Sequence, residues 1–402
     1  MSKCDFDVIV AGAGPAGLVT ALACAEMGLA TAIAGPPADP RDGRTAALFQ
    51  ASVQLLKRLG VWDIIAPSAA PLDAIRLIDA TGALFRAPEV TFRAGEIGLD
   101  AFGFNVPNSA LTAALDAACR QRLTRIDTPA ITALALSDAG AEVTIADGTT
   151  IAARLVAAAD GRASPSRAAA GIATKTWQYD QTAVVCTFAH SRAHGAVSTE
   201  FHRRTGPLTV VPGPGNTSSL VGVETPDEAA RLASLDDDQF GKALGAHLSG
   251  LLGTLGPLSH RRIYPLSGQT AGTLAQNRVA LIGEAAHVMP PIGAQGLNLS
   301  FRDAATLAGI AKAARANNED IGSAPVLARF DAARRTDVTS RMWGIDLLNR
   351  SLLSEYVPVH LVRGLGLFAL STVAPLRRLV MREGVAPAQS TPELMRPLPQ
   401  PA

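Results

Sequence analysis

The sequence has few cysteines, no excess of charge of one sign and no long hydrophobic run, and each absence excludes a class of protein. The cysteines are scattered, with no CxxC pair and no cluster with histidine at metal-ligand spacing; they are Cys4, Cys24, Cys119 and Cys186. We therefore expect reduced thiols, a cytoplasmic protein and no metal site. A formal net charge of +1 argues against nucleic acid as a partner. No clean apolar run of about 18 to 20 residues occurs outside a glycine-rich stretch, so no transmembrane helix is predicted.

That glycine-rich stretch, near the N-terminus, is the first motif. A β-branched run at Val8 to Val10 predicts a short buried strand, and the letters GAGPAG follow it before an apolar, helix-forming segment. In the spacing GxGxxG, the first glycine permits a tight turn, the second lets the backbone approach a pyrophosphate, and the third lets the helix pack on the strand. The alternative is a glycine-rich turn with no ligand. The residues of the motif are Gly12, Gly14, Pro15, Ala16 and Gly17.

The next strand lacks an expected acidic residue. It runs from Thr31 to Ala34 and should end in a carboxylate that holds the ribose of a dinucleotide, but Gly35 stands there. Asp39 and Asp42 follow soon after and are alternatives for that role.

Arginines and one further carboxylate complete the candidate nucleotide-binding set. Arg41 and Arg44 are close enough in sequence to bind a diphosphate, although each is equally consistent with a solvated surface charge. Further along, a strand leads into Asp160 and Gly161, with Arg167 beyond. This second stretch is consistent either with nucleotide binding or with a capped helix start.

The third motif is LIGEAAHVMPPIGAQGLNLS, from Leu281 to Ser300. A strand ends at Gly283, and Glu284 offers a carboxylate to a polyol such as a ribityl chain. Pro290 and Pro291 make the loop rigid, and the helix that follows presents its N-terminus to a developing negative charge. His287 is interpreted as structural rather than catalytic.

Together these stretches resemble the FAD-dependent aromatic hydroxylases of the para-hydroxybenzoate hydroxylase superfamily. The resemblance rests on GAGPAG, ADGRASPSR and RVALIGEAAHVMPPIGAQGLN, in that order. Within the superfamily the chain is similar to the ubiquinone-biosynthesis hydroxylases of UbiH/UbiF/VisC type, through DGRTAALFQASVQLLKRLGVW, FNVPNSALTAAL, AHSRAHGAVSTEFHRRTGPLTVVP and LRRLVMREGVA. It extends over nearly the whole chain.

The resemblance implies a role for each matching residue. The first glycine loop would hold the FAD pyrophosphate with Arg44 nearby, and the Asp160 motif would serve both FAD and a nicotinamide donor. Pro291, as part of the loop on the flavin face, is the one candidate for a catalytic position. The residues implied around the ribityl chain and the isoalloxazine ring are Gly283, Glu284, Pro291, Ala294, Gln295, Gly296, Leu297 and Asn298.

Four positions depart from the family pattern. They are Glu284 for the usual aspartate, Gly35 for the ribose-binding acid, Ser109 for an arginine and Ala294 for a glycine.

The resemblance also implies the reaction. The expected function is an FAD-dependent monooxygenase that hydroxylates the ring of a polyprenyl phenol in ubiquinone biosynthesis through a C4a-hydroperoxyflavin. Electrons would come from NAD(P)H or another reductant, dioxygen would be the co-substrate, and other quinone-biosynthesis proteins are candidate partners. The alternatives are a hydroxylase of a small soluble aromatic acid and a non-catalytic flavin-fold scaffold of a quinone-synthesis complex.

The expected fold class is α/β. A Rossmann-like FAD-binding domain of the GR2/PHBH type would comprise 1–75, 100–178 and 260–345, a β-rich substrate domain 76–99 and 179–259, and a helical region with a tail 346–402. The C-terminal segment is apolar, with Arg363, Arg377, Arg378 and Arg382 spaced through it. It is consistent either with amphipathic helices on the inner face of the membrane or with helices packed on the protein's own core.

Overall fold

The computed structural model describes residues 4–82, 88–353, 357–385 and 391–397, with backbone alone at 357–363 and 367. The predicted regions at the N-terminus, around residue 85 and in the C-terminal tail lie partly outside these ranges, as does the side chain of Arg363. The strands are β1 (Phe6–Ala11), β2 (Thr31–Gly35), β3 (Thr45–Phe49), β4 (Ala70–Pro71), β5 (Ala74–Asp79), β6 (Val90–Arg93), β7 (Gly103–Pro107), β8 (Thr124–Asp127), β9 (Ile131–Ser137), β10 (Gly140–Ile145), β11 (Thr150–Ala158), β12 (Thr174–His190), β13 (Val197–Arg203), β14 (Gly206–Pro212), β15 (Thr217–Glu224), β16 (Leu255–Leu258), β17 (Arg262–Ala271), β18 (Ala275–Gln276), β19 (Val279–Leu281) and β20 (His287–Val288).

The helices fall between the strands and then close the chain. They are α1 (Pro15–Glu26), α2 (Gln50–Arg58), α3 (Trp62–Ile65), α4 (Asn108–Arg122), α5 (Pro165–Ala169), α6 (Pro226–Ser234), α7 (Asp237–Leu248), α8 (Gln295–Ala316), α9 (Ala324–Leu353), α10 (Val357–Thr372) and α11 (Ala374–Val385), with short 3-10 turns at Ala66–Ser68, Ala94–Ile97, Gly283–Ala285 and Glu393–Met395.

The first sheet has its strands in the order β18-β19-β11-β1-β2-β8, and β10 and β9 extend it from β11. The strands β19, β11, β1, β2 and β8 run parallel. Residues 8–11 of β1 are completely buried, as expected for a parallel sheet covered by helices on both faces. The helix α1 is made of small and apolar residues and packs against this sheet, α4 and α8.

The large sheet has nine strands, in the order β20-β17-β12-β15-β14-β13-β5-β6, with β16 beside β12. One of its faces carries a separate apolar core with α6 and α7, which includes Phe188, Phe201 and Phe240. A three-stranded sheet of β3, β7 and β4 contacts the helices α2, α4 and α8. The α/β class, the β-rich sheet and the C-terminal helices therefore agree with the prediction.

The predicted division of the chain into domains stays a prediction. The strand β12 is continuous across the expected boundary between residues 178 and 179, and β17, from the expected third FAD-binding segment, belongs to the large sheet.

Candidate active site

The three sequence motifs meet at one edge of the first sheet. The strands β19, β11 and β1 are parallel neighbours, so the loops that follow their carboxyl ends emerge side by side. A Cβ atom placed on Gly12 would lie 2.3 Å from the carbonyl oxygen of Ala159, and one on Gly283 would lie 3.5 Å from the Cβ of Ala16. The edge of the sheet is therefore a single site built from three distant segments.

The first loop uses its glycines in three different ways. Gly12 has a φ of +105°, a left-handed conformation that favours glycine. A Cβ on Gly17 would lie 1.9 Å from the carbonyl oxygen of Gly12, whereas a Cβ on Gly14 would meet nothing within 4 Å. Gly14 is the N-cap of α1, Pro15 follows at the first helical position, and no side chain caps the helix. The backbone beside Gly14 is thus left open to an anion.

The carboxyl end of β2 cannot carry the acidic residue that dinucleotide-binding folds usually place there. A Cβ on Gly35 would lie 2.5 Å from the backbone nitrogen of Ala13. Arg125, whose side chain is 1% exposed, donates hydrogen bonds to the carbonyl oxygens of Gly35 (2.9 Å) and Pro36 (2.8 Å). The close approach of the first loop explains why glycine is found at this position.

The two aspartates that follow are bound to their own arginines. Asp39 accepts a hydrogen bond from the Nε of Arg41 at 3.3 Å, on the exposed surface. Asp42 accepts two from Arg44, at 2.8 and 2.7 Å, and these bonds lower its pKa to about 2. The pKa of Arg44 is raised, first by the same hydrogen bonds and to a smaller extent by Glu284.

In the second motif, Asp160 binds the start of a helix with one carboxylate oxygen and leaves the other available as a hydrogen-bond acceptor. One carboxylate oxygen of Asp160 accepts a hydrogen bond from the backbone of Ser166 at 3.0 Å, at the start of α5. Its other oxygen, Oδ1, is buried without a hydrogen-bond partner among the described residues. Arg167 donates to the carbonyl oxygen of Ala285 at 2.9 Å, and burial lowers its pKa. It therefore joins the second motif to the third.

The third motif carries an exposed carboxylate, Glu284, and is bound by a buried one, Asp303, from α8. Glu284 is exposed at the end of the strand, after Gly283 with its φ of +59°. His287 is buried and contacts Asp303 through Nε2 at 2.7 Å, and the same carboxylate oxygen accepts from the backbone of Gly283 at 3.1 Å. Burial opposes ionisation of Asp303, but His287 and Arg334 outweigh it and lower its pKa. The contacts of Asp303 with Gly283 and His287 hold this segment of the third motif in place from its buried side.

The loop from Pro290 to Asn298 is anchored at its end by hydrogen bonds of Asn298. Ala294 is the N-cap of α8 in the left-handed region, with φ 54° and ψ 30°. The amide of Asn298 is 1% exposed; it donates to the carbonyl oxygens of Ala294 (2.7 Å) and Ala47 (2.8 Å) and accepts from Phe49 (2.8 Å) and Ser52 (2.7 Å). Its side chain is thus fully used within the protein. Pro291, Gly293 and Gly296 are exposed, while Gln295 and Leu297 are half-buried.

An apolar cluster lies next to this loop. It joins the loop, the 3-10 turn at 94–97, the large sheet and the C-terminal helices. Its buried members are Phe49, Val90, Phe92, Ala94, Phe102, Met381 and Val385, and its half-buried members include Ile75, Leu77, Ala294 and Leu370. These side chains pack against one another, and we call the cluster that they form the apolar chamber.

Three residues at the site were missed by the sequence reasoning. Asn108, at the start of α4, donates to Asp42 at 3.3 Å and has a buried Oδ1 with no partner among the described residues. Arg125 and Asp303 bind the site's backbone as described above. Asp42 and Asn108 lie in the DGRT and VPNS stretches of the sequence, but their pairing depends on the packing of β3 against β7.

These features suit FAD. The open backbone at Gly14 with an uncapped helix N-terminus suits a pyrophosphate, and the buried unpartnered oxygens of Asp160 and Asn108 suit hydroxyl or amine donors. The exposed carboxylate of Glu284 is placed beside the same edge, where a polyol chain would be bound.

Comparisons with known proteins agree with this geometry. The family described as FAD binding domain matches residues 5–320. Ubiquinone hydroxylase UbiL of Rhodospirillum rubrum is 35% identical over 98% of this chain and 93% of its own. The 3-demethoxyubiquinol 3-hydroxylase of Escherichia coli is 30% identical over 95% and 99%. In structure, p-nitrophenol 4-monooxygenase PnpA of Pseudomonas putida matches with a TM-score of 0.76, 19% identity, and coverage of 95% of this chain and 98% of its own.

The matches extend over the first loop, the second and third motifs and nearly the full length of both relatives. They confirm the resemblance, the PHBH-type fold and the enzyme class predicted from the sequence. The chain belongs to the FAD-dependent monooxygenases of the para-hydroxybenzoate hydroxylase type, in the family of ubiquinone-biosynthesis hydroxylases.

Proposed function

We propose that this protein hydroxylates the aromatic ring of a polyprenyl phenol in ubiquinone biosynthesis. The observation that carries the proposal is the apolar chamber, which places Phe49, Phe92, Met381 and Val385 beside Ala294 of the third motif. Such surroundings favour binding of a substrate with a neutral ring and an isoprenoid chain, since burial of apolar surface stabilises the bound state by about 25 cal/mol per Å². The ubiquinone-pathway names of the two relatives support the same substrate class.

The residues that would hold FAD follow from the site. The backbone at Gly12, Gly14 and Gly17 would bind the pyrophosphate at the N-terminus of α1, with Arg44 nearby. Asp160 and Glu284 would accept hydrogen bonds from its hydroxyl groups. Bound FAD, reduced by NAD(P)H or another donor, supplies the activation of dioxygen and the transfer of one oxygen atom to the ring.

The remaining residues act by position and polarity. The N-terminus of α8, at Gln295 and Gly296, offers uncapped N–H groups that would stabilise negative charge on the reduced ring. Pro290 and Pro291 withhold two N–H donors and form a rigid wall, which is the role proposed for Pro291. The apolar chamber would exclude water from the reacting atoms.

A small aromatic acid fits the chamber less well. One described cation of the C-terminal helices, Arg377, is bound to Glu96 at 2.8 Å and to the carbonyl oxygens of Leu370 and Ser371, both at 3.1 Å. Its charge is therefore compensated within the protein and is not offered to a substrate carboxylate.

The C-terminal helices would also contact the membrane surface that holds a polyprenyl substrate. Among the described residues, nine of the eleven large apolar side chains that are exposed lie between Trp343 and Val380. Arg378 and Arg382, both on α11, are also exposed. No single helix in the described ranges has the length and composition of a membrane span. The helices Gly364–Thr372 and Ala374–Val385 meet that criterion only together, and they are bent by 105°. A surface contact suits this arrangement.

The quinone lipids of a deletion strain test the proposal. A polyprenyl phenol that lacks one ring oxygen should accumulate, and its structure would name the position hydroxylated. In parallel, purified holoenzyme should oxidise NAD(P)H faster with a prenylated phenol than with 4-hydroxybenzoate. An unchanged ubiquinone pool in a strain with no redundant hydroxylase, together with coupling to the soluble acid, would replace this proposal with the aromatic-acid alternative.

A further inference from the structure

A buried carboxylate–imidazole pair lies on the large sheet, outside the three motifs. Glu200 and His202 are both on β13 and are 9% and 3% exposed. The Nε2 of His202 lies 2.8 Å from the Oε1 of Glu200, and the hydroxyl of Thr209, on β14, donates to Oε2 at 3.3 Å. The Nδ1 of His202 is buried and has no hydrogen-bond partner among the described residues.

The pair lies on the same face of the large sheet as the strand residues of the apolar chamber, and not on the face of the second core. Phe201, between the two residues, is buried with α6 and α7 on the opposite face. Because side chains alternate along a strand, Glu200 and His202 point to the other face. There Glu200 is the lateral neighbour of Leu77 on β5, and Leu77 is the neighbour of Val90 on β6. His202 is the lateral neighbour of Asp79, at the end of β5. Both Leu77 and Val90 belong to the chamber.

The hydrogen bond fixes which nitrogen of His202 is open. A carboxylate accepts hydrogen bonds and does not donate them, so Nε2 carries the proton that it shares with Glu200. In the neutral imidazole the other nitrogen, Nδ1, then has a lone pair and no hydrogen. An unpartnered acceptor that is buried on the chamber side of the sheet is costly, and a hydroxyl group from a bound molecule would satisfy it.

We propose that Nδ1 of His202 accepts the proton of the substrate's phenol group, and that Glu200 is a positioning residue for this histidine. The inference rests on the proposed function. In this step the phenol O–H bond breaks, an N–H bond forms at Nδ1, and the electron pair stays on the phenol oxygen, where it enriches the ring carbons that receive oxygen. Glu200 stabilises the imidazolium, as a carboxylate does beside a histidine base. The proton returns to the product oxygen before release.

The test uses the FAD-loaded enzyme and two kinds of phenol. A prenylated phenol reports turnover, and a prenylated nitrophenol reports protonation, because its phenolate absorbs visible light and its neutral form does not. The variants are His202→Gln, which can hydrogen-bond but is not a base at neutral pH, and Glu200→Gln. The control is His247→Gln, on α7 at the opposite face of the sheet. Thermal midpoints and the bound-flavin spectrum check folding.

We expect wild-type enzyme and His247→Gln to hold the nitrophenol as phenolate at a pH where the free probe is neutral. His202→Gln should bind it with a similar Kd but as the neutral phenol, and its kcat should fall about a hundredfold with little change in KM. Glu200→Gln should show a smaller loss of both signals, and it carries the test if His202→Gln does not fold. A merely structural role would not separate probe binding from probe ionisation.

Two results would overturn the inference. One is a His202→Gln enzyme, or a Glu200→Gln enzyme in its place, with the wild-type phenolate signal and kcat. The other is a wild-type enzyme that binds the probe only in its neutral form. By contrast, FAD-loaded wild-type enzyme that turns over no prenylated phenol would refute the proposed function itself.

Discussion

The glycines of the first loop differ in the space that a Cβ atom would have at each position. A side chain on Gly17 would collide with the carbonyl oxygen of Gly12, whereas one on Gly14 would project into open space. Gly14 has a φ of −73°, which any residue adopts. Gly17 is therefore required by the fold, whereas Gly14 is required only if a ligand approaches the backbone there.

This difference gives a prediction for a matched pair of variants. Gly17→Ala should lower the free energy of unfolding of the apoprotein by about 2 kcal/mol or more, because the helix must move away from the strand. Gly14→Ala should leave that free energy nearly unchanged but raise the Kd for FAD by about tenfold, or ~1.4 kcal/mol. Urea unfolding of apoprotein and flavin fluorescence titration measure the two quantities. Equal FAD affinity of Gly14→Ala and wild type would argue against the pyrophosphate position.

At the scale of elements, α8 and α9 are joined by a buried network of charges. Asp303, on α8, contacts the Nε of Arg334, on α9, at 2.8 Å. Arg334 also donates a hydrogen bond to Asp337 at 2.7 Å. Asp337 accepts two more, from Arg302 at 2.6 Å and from Arg341 at 2.9 Å. Buried charges of one sign are thus interleaved with charges of the other, and none of the carboxylates can be removed without leaving an arginine uncompensated.

The same network reaches the third motif and the C-terminal helices. Arg341 also binds the side chain of Gln295, at the start of α8, and lies 3.4 Å from the carbonyl oxygen of Glu383 on α11. The position of the loop beneath the proposed flavin ring therefore depends on how α9 and α11 are packed.

Because of this network, we expect the free energy of unfolding to depend on pH in the acidic range. Burial opposes ionisation of Asp337, but Arg334 and Arg302 outweigh it and lower its pKa. In the unfolded chain an aspartate has a pKa of about 3.9. Below about pH 4 the unfolded chain therefore binds a proton that the folded protein does not. The free energy of unfolding then decreases as the pH is lowered.

Asp337→Asn tests this linkage. Its free energy of unfolding at neutral pH should be about 3 kcal/mol below wild type, and its further decrease on acidification should be shallower, since one depressed pKa has been removed. Urea unfolding at a series of pH values measures both. Glu228→Gln is the control: its ion pair with Arg231 is exposed, and the expected change is below about 1 kcal/mol. An unaltered acid dependence in Asp337→Asn would contradict the assignment.

At the scale of the whole molecule, the apolar chamber connects the cofactor loop to the surface. Met381, Val385 and Leu370 close it from α11 and α10, and the same helices expose Leu365, Phe368 and Leu379. One pair of helices thus forms both a wall of the proposed substrate site and an exposed apolar surface, which is the arrangement that a lipid-dissolved substrate requires.

The exposed surface predicts binding to lipid. Leu365→Glu with Phe368→Glu should lower the fraction of protein that sediments with anionic vesicles by about tenfold or more, since apolar insertion is lost and like charges repel. The control Ile64→Glu removes an equally exposed apolar residue from α3 and should bind as wild type does. Turnover of a soluble short-chain phenol should be retained in the double variant. Equal sedimentation of both variants would refute the surface contact.

The sequence by itself determined the features that depend on neighbours along the chain. The glycine spacing after β1 and the apolar strand before Gly283 were enough to predict a dinucleotide fold, and the order of three motifs was enough to indicate the family. The helix after the third motif follows from local sequence as well, because the chain leaves a proline-rich loop at Ala294.

Only the tertiary structure decided which side chains serve one another. Asn298 bonds to Phe49, 249 residues away, and His287 bonds to Asp303 on the next helix. The absence of an acid at Gly35 is a departure from the family pattern in the sequence, and the structure shows that it follows from the approach of Ala13. Local spacing carries information about helices and strands because these are formed by near neighbours. The partners of a buried charge are set by how distant elements pack, and no local pattern records them.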